Sequence, residues 1–327
     1  MSDLSAMTGF GRRLRVVAIA ALVFTPVGAL AVPPACPESD VPGLKWLEKM
    51  SRSAQTLNYE GVVTIQRGED MDVVQVSRNA GRDAINESLT RLTGPGEQVV
   101  RKAHPQACVH PGSEMLQLGD ALNRGQCGIS QYYRLKVTDG DRVAGRRAVR
   151  IKVQPRDMYR FGYVMDLDRE TGLLLTTKIM GPGDRLLEKS QFASLKYGPP
   201  TAEPSPVQSE QQAEQTCSDD ASEAKAEHGP WSPGWLPNGF RMTEAVDRTS
   251  ARRSYTDGLS AFSVFVEELP RDIRPGEGVI RSGGTTSYTR GLRLGGRPVL
   301  ITVIGEVPVN TARMVADSVN WEVARAD

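Results

Sequence analysis

Alternation of apolar and polar residues with a period of two runs through much of the first half of the chain, and it commits that half to antiparallel sheet. Tyr59, Gly61, Val63 and Ile65 alternate with Glu60, Val62, Thr64 and Gln66, and Val149, Ile151 and Val153 alternate with Arg150, Lys152 and Gln154. Phe161, Tyr163, Met165 and Leu167 repeat the pattern. Spacing of this kind sends one set of side chains to each face of a strand. Turn signals separate the runs: Arg67-Gly68-Glu69-Asp70, Asp139-Gly140-Asp141, Thr171-Gly172 and Gly181-Pro182-Gly183. Short strands joined by tight turns predict a meander. One helix precedes it, because Leu44, Leu47, Met50, Ala54 and Leu57 recur at steps of three and four. A lone helix beside so much sheet predicts a strongly curved sheet with the helix over its concave side.

Residues 199–229 break the pattern. Four prolines, seven acidic residues against one lysine, and no aromatic side chain leave too little apolar surface to offset the entropy of ordering, so this stretch reads as a flexible acidic tether. Periodicity returns at Trp231. A strand around Ser254-Tyr255, a turn at Thr256-Asp257-Gly258 and apolar strands over 259–266 and 298–304 precede a short helix. Asn310 is its expected N-cap, with Ala312, Val315 and Val319 on one side. The predicted organisation is therefore a first domain over 32–198, the tether over 199–229 and a smaller α+β domain with an antiparallel sheet over 230–327.

The N-terminus reads as an export signal. Arg12, Arg13 and Arg15 precede an apolar run over 16–30, and Ala29-Leu30-Ala31 supplies a small-x-small cleavage site. Pro26 and the shortness of the run argue against a membrane span. Export implies an oxidising compartment, which accords with four cysteines: Cys36, Cys108, Cys127 and Cys217. Cys108 and Cys127 flank one Gly/Pro-punctuated segment and are the expected disulfide. Such a bridge contributes about 3 kcal/mol for a loop of about 20 residues. Cys36 and Cys217 are left either paired or free.

Chemistry-bearing constellations are scarce. His104, Cys108 and His110 lack metal-ligand spacing. Asp166, Asp168 and Glu170 resemble a calcium loop, but the glycine falls at 172 and the twelfth position is Thr177, so a hairpin turn is expected. No Gly-x-Ser-x-Gly elbow is present. A net charge of +1, from 40 basic and 39 acidic residues, removes the signature of a nucleic-acid binder. These residues favour binding over catalysis, with no cofactor and no metal.

Several stretches resemble the RseB/MucB family of periplasmic regulators of envelope-stress (sigma-E/AlgU-type) sigma factors. In the first half they include Leu57-Asn58-Tyr59-Glu60-Gly61, Leu92-Thr93-Gly94-Pro95, Asp141-Arg142-Val143-Ala144-Gly145-Arg146 and Tyr159-Arg160-Phe161-Gly162-Tyr163. The run Asp168-Arg169-Glu170-Thr171-Gly172-Leu173-Leu174-Leu175 belongs with them. In the second half they are Trp235-Leu236-Pro237-Asn238-Gly239-Phe240, Tyr255-Thr256-Asp257-Gly258-Leu259, Phe262-Ser263-Val264-Phe265-Val266-Glu267 and Gly305-Glu306-Val307-Pro308. Their order and joint spacing carry the resemblance, which spans nearly all of the exported chain. Gly96-Glu97-Gln98 and the long tether depart from the family pattern.

The resemblance implies a first domain like the lipoprotein carriers LolA and LppX, an open half-barrel of antiparallel strands under covering helices. It also implies a negative regulator that binds the periplasmic part of a membrane-anchored, RseA/MucA-like anti-sigma factor and shields it from proteolysis. Lipid or lipopolysaccharide displaces it, and homodimerisation is left open. Burying ten CH₂ groups of an acyl chain supplies about 8 kcal/mol before ordering costs. The candidate lipid groove is Tyr59, Val63, Ile65, Tyr163 and Met165, and the same residues also read as ordinary core. The candidate anti-sigma contacts are Tyr255, Asp257, Phe262, Phe265 and Arg281; Asp257-Gly258 reads equally as a turn, and the phenylalanines as core. A lipid carrier without a regulatory partner is the rival reading.

Overall fold

The computed structural model describes residues 36–81, 85–94, 98–104, 112–123, 126–199, 231–243, 252–270, 276–294 and 296–321. The expected export signal, all but the first residue of the expected tether, Cys108 and Cys217 lie outside them.

Helix α1 (Val41–Thr56) opens the described chain, with Pro42 in its first turn, where a missing N–H costs nothing. Leu44 and Leu47 are buried on one face, as their spacing requires. Nine strands follow: β1 (Tyr59–Arg67), β2 (Asp70–Ala80), β3 (Ile85–Arg91), β4 (Gln98–His104), β5 (Tyr133–Val143), β6 (Arg146–Pro155), β7 (Gly162–Asp168), β8 (Leu174–Gly181) and β9 (Arg185–Tyr197). They form one antiparallel sheet of order β4-β3-β2-β1-β9-β8-β7-β6-β5. The sheet is open, with β4 and β5 at its two edges.

Register decides which residues share a face. Ile65 pairs with Ser190, Ser190 with Thr177, Thr177 with Met165, and Met165 with Ile151, a single row across five strands. Paired residues project to the same side. Helix α1 crosses this inner face. Its start is fixed by Asp40, which accepts from the Leu135 amide at 3.0 Å and from Arg156 at 2.8 Å. Gly43 lies so close to Leu135 that a Cβ there would meet the leucine Cβ at 2.6 Å. Near the helix end, the Ala54 carbonyl accepts from the buried guanidinium of Arg78 on β2.

Asp139-Gly140-Asp141 is not a turn. Strand β5 runs through it with a bulge, and the chain reverses at Ala144-Gly145 instead. Gly140 and Asp141 together oppose Ala148, so the glycine marks an extra residue in the strand rather than its end. The Asp166–Glu170 segment is a strand end and hairpin, as expected. Arg150 grips Asp166 at 2.7 and 3.1 Å, and Arg146 holds Asp168 at 2.8 Å.

The expected Cys108–Cys127 bridge is corrected by the structure: Cys127 is bonded to Cys36, with Cα atoms 5.1 Å apart. Fixing the start of α1 onto β5 and Arg156 brings residue 36 to residue 127, a proximity that chain distance hides. The bridge joins residues 91 apart in sequence, for which chain entropy gives about 4–5 kcal/mol.

A second antiparallel sheet is built from β11 (Arg241–Met242), β12 (Arg252–Thr256), β13 (Ala261–Glu268), β14 (Glu277–Ser282), β15 (Thr285–Leu294) and β16 (Arg297–Gly305). Its order is β11-β12-β13-β16-β15-β14. Helix α2 (Val309–Asp317) packs on β15 and β16, burying Ala312 and Val315 with Phe262, Val264, Tyr288, Ile301 and Val303. Asn310 is not its N-cap. Pro308 occupies that position with φ −58° and ψ 152°, and no side chain caps the helix. Strands β10 (Trp231–Pro233) and β17 (Val319–Trp321) pair with each other, so Val319 is a strand residue rather than part of the helix. The architecture is a β-rich α+β fold with an open first sheet under α1 and a smaller second sheet under α2.

Candidate functional site

Loops at one end of the second sheet meet the inner face of the first sheet, and a buried ion pair lies at the centre of the contact. Asp257 follows β12 in a tight turn, where Gly258 takes the left-handed conformation with φ +99°. One carboxylate oxygen of Asp257 accepts from the amides of Leu259 at 3.0 Å and Ser260 at 2.8 Å, which closes the turn. The other accepts from the Tyr133 hydroxyl at 2.8 Å and from Arg160 at 2.7 Å. Both side chains of the ion pair are fully buried. Arg160 also reaches Asp157 and the Asn238 carbonyl, and its guanidinium lies against the rings of Tyr132, Tyr133 and Phe240 at 4.9–5.4 Å. A buried charge is tolerated only when so surrounded.

Further contacts widen the junction. Tyr163 on β7 donates to Glu306, which follows β16, at 3.4 Å. Burial raises the Glu306 pKa, and the neighbouring carboxylates of Glu188 and Asp257 push the same way. Burial likewise holds the Tyr133 and Tyr163 hydroxyls protonated well beyond the usual range, with Asp257 and Glu306 as their respective acidic neighbours. Thr311 in the first turn of α2 donates to the Tyr159 carbonyl at 2.9 Å. Tyr159 in turn packs edge-on against Trp235 at 5.1 Å. The β14–β15 turn presses on the first sheet: a Cβ on Gly284 would meet Ile179 at 2.5 Å, and its amide donates to Glu188, which Arg67 neutralises at 3.1 Å.

The structure distributes the sequence candidates unevenly. Tyr59, Val63, Ile65, Tyr163 and Met165 do share the inner face, as alternation and register require. Tyr59 packs edge-on against Phe192, and Tyr163 and Met165 belong to the core under α1 and the junction. Val63 and Ile65 remain half-buried. Among the five contact candidates, Tyr255 and Phe262 stack on each other within the second core, and Asp257 is spent on Arg160. Phe265 is half-buried and Arg281 is exposed. Sequence reasoning assigned no role to Arg160, Tyr133 or Glu306. A usable signal existed for Arg160, an arginine between two aromatic residues in an otherwise apolar run.

The stretches 159–163, 235–240, 255–259 and 305–308, far apart in the chain, all converge on this junction. The MucB/RseB N-terminal domain model matches residues 42–216, and the MucB/RseB C-terminal domain model matches residues 225–320. The chain belongs to the MucB/RseB family. It is similar to the sigma factor AlgU regulatory protein MucB of Pseudomonas aeruginosa, at 31% identity over 91% of this chain and 96% of that protein. It is also similar to the sigma-E factor regulatory protein RseB of Haemophilus influenzae, at 27% identity over 84% and 90% of the two chains. Among solved structures, the Pseudomonas aeruginosa MucA/MucB complex matches with a TM-score of 0.63 and 29% identity, covering 86% of this chain and all of that one. Among the described residues of this family member, no helix is long and apolar enough to cross a membrane.

Proposed function

We propose that this MucB/RseB family member is a periplasmic negative regulator, exported by residues 1–31. In this reading it binds the periplasmic part of a membrane-anchored, MucA/RseA-like anti-sigma factor and protects it from regulated proteolysis. Lipid or lipopolysaccharide relieves the block. The observation that carries the reading is the match of both halves to proteins named as sigma factor regulators, one of them solved with MucA.

The junction supports a two-state mechanism. Domains over 32–198 and 230–327, joined by the 199–229 tether, are held in one arrangement by Arg160, Asp257, Tyr133 and Glu306. An acyl chain entering beside Val63 and Ile65 along the inner face competes for the surface on which the β14–β15 turn rests. A ligand shifts such an equilibrium only by its differential affinity for the two states. The anti-sigma segment engages the outer parts of the second sheet, where Phe265 and Arg281 are accessible.

Retention of the purified protein on an immobilised periplasmic segment of the cognate anti-sigma factor tests the reading. Capture at micromolar concentration, and release by lipopolysaccharide, are expected. A carrier without a regulatory partner is the competing reading; no capture, together with unchanged sigma-dependent transcription after gene deletion, establishes it instead.

A further inference from the structure

The outer face of the first sheet carries a row of lysines that the fold itself does not need. Register pairs Lys136 with Lys152, Lys152 with Val164, Val164 with Lys178, and Lys178 with Lys189. The row therefore crosses β5, β6, β7, β8 and β9, about 20 Å at the usual strand spacing, with four ammonium groups on one side. Lys136 and Lys152 stand directly opposite each other, as do Lys178 and Lys189. Like charges so placed destabilise a sheet. Among the described residues, Lys152 alone of the four has an acidic partner, Asp184 at 3.6 Å. Other acidic groups nearby are committed: Asp166 and Asp141 both bind Arg150.

Apolar side chains sit among these cations. Val164 and Met180 line a shallow groove of about 390 Å³ with Lys136 and Lys152. Leu186, paired with Met180, is 47% exposed. At the far end the row continues through Gln66 to Met71, which is 56% exposed. A broad, basic face studded with apolar residues, and without a paired-arginine clamp for one anion, matches a layer of laterally mobile anionic headgroups over short acyl depth.

We propose that this outer face docks the protein on an anionic phospholipid bilayer. The second sheet stays free to meet the regulatory partner, so docking adds to the proposed regulatory role without depending on it. The lysines supply long-range attraction, and Val164, Met180 and Leu186 supply short-range contact.

Co-sedimentation of residues 32–327, which contain the compact unit and omit the apolar N-terminal run, with phosphatidylglycerol-containing vesicles tests the proposal. Retention is expected on these vesicles, not on pure phosphatidylcholine vesicles, and it weakens as salt rises. Neutralising Lys136 and Lys178 (Lys136→Gln with Lys178→Gln) lowers affinity about fivefold per lysine, about 25-fold together. Thermal stability holds or rises, because like-charge pairs are removed. The control pair Lys45→Gln with Arg293→Gln, equal in charge change, leaves retention near wild type. Equal retention on both vesicle types, or equal losses in the two variant pairs, overturns the proposal. If the Lys136/Lys178 variant loses the anti-sigma segment while keeping vesicle retention, the face is a protein interface and the proposal is also overturned.

Discussion

Arg160 and Asp257, 97 residues apart in the chain, meet at 2.7 Å with neither side chain reaching solvent. The arginine precedes β7 of the first sheet and the aspartate closes a turn of the second. Asp257 thus finds its counter-charge across the junction, while Arg160 is shared between Asp257 and its own neighbour Asp157.

Asp257→Asn separates the turn from the ion pair. An asparagine oxygen still accepts from the Leu259 and Ser260 amides, but Arg160 loses its fully buried counter-charge and keeps only Asp157. Denaturant unfolding is expected to show a loss, smaller than the about 3–5 kcal/mol of a buried charge left with no partner. Adding Arg160→Met recovers part of it; a double variant no better than the single one contradicts this account.

Glu306 carries a pH dependence. Its folded-state pKa is raised from a reference of 4.5, by burial first and then by the carboxylates of Glu188 and Asp257. Arg67 partners Glu188, Arg160 partners Asp257, and Tyr163 donates to Glu306 itself. With a raised folded value, the folded state binds the proton more tightly. The associated stability is fully present below about 4.5 and is lost as pH rises through the folded value. Glu306→Gln keeps an acceptor for Tyr163 without the charge, so it is expected to gain on wild type as pH climbs from 4.5 toward neutrality. Parallel stability–pH curves for the two proteins count against it.

Cys36→Ser and Cys127→Ser each remove the same bridge. Each is expected to cost about 2–5 kcal/mol, and the double variant no more than either single one, since coupled sites are not additive. Additive losses in thermal or denaturant unfolding imply a different pairing.

Variants of the second sheet distinguish contact from core. Arg281→Glu and Ile280→Asp lie on β14, an edge strand whose six residues are all exposed. They are expected to change stability by less than about 0.5 kcal/mol while weakening capture on the anti-sigma segment. Phe262→Ala removes a buried ring and is expected to lose about 3–5 kcal/mol. Undiminished capture by both β14 variants moves the contact elsewhere.

The period-two runs around Val63, Ile151 and Met165, together with the helical spacing of Leu44 and Leu47, were enough to read an antiparallel sheet with one helix. Alternation is a local property, imposed on each strand by having one face covered. Turn residues were read less well, because a glycine serves a bulge as readily as a reversal: Gly68, Gly172 and Gly183 end strands, but Gly140 does not. The groove candidates fell on one face for the same local reason. Most of the contact candidates did not reach the surface, since aromatic residues in a strand look alike whether they meet a partner or their own core.

By itself the sequence determined the β-rich class, the faces of its strands and, through scattered short stretches, the family. Tertiary structure alone decided that Cys36 joins Cys127, that Asp257 neutralises Arg160, and that four lysines stand in one row. Each of these depends on which distant segments become neighbours. Strand order, register and the docking of one sheet on another are set by the summed packing of the whole chain, which no local pattern records.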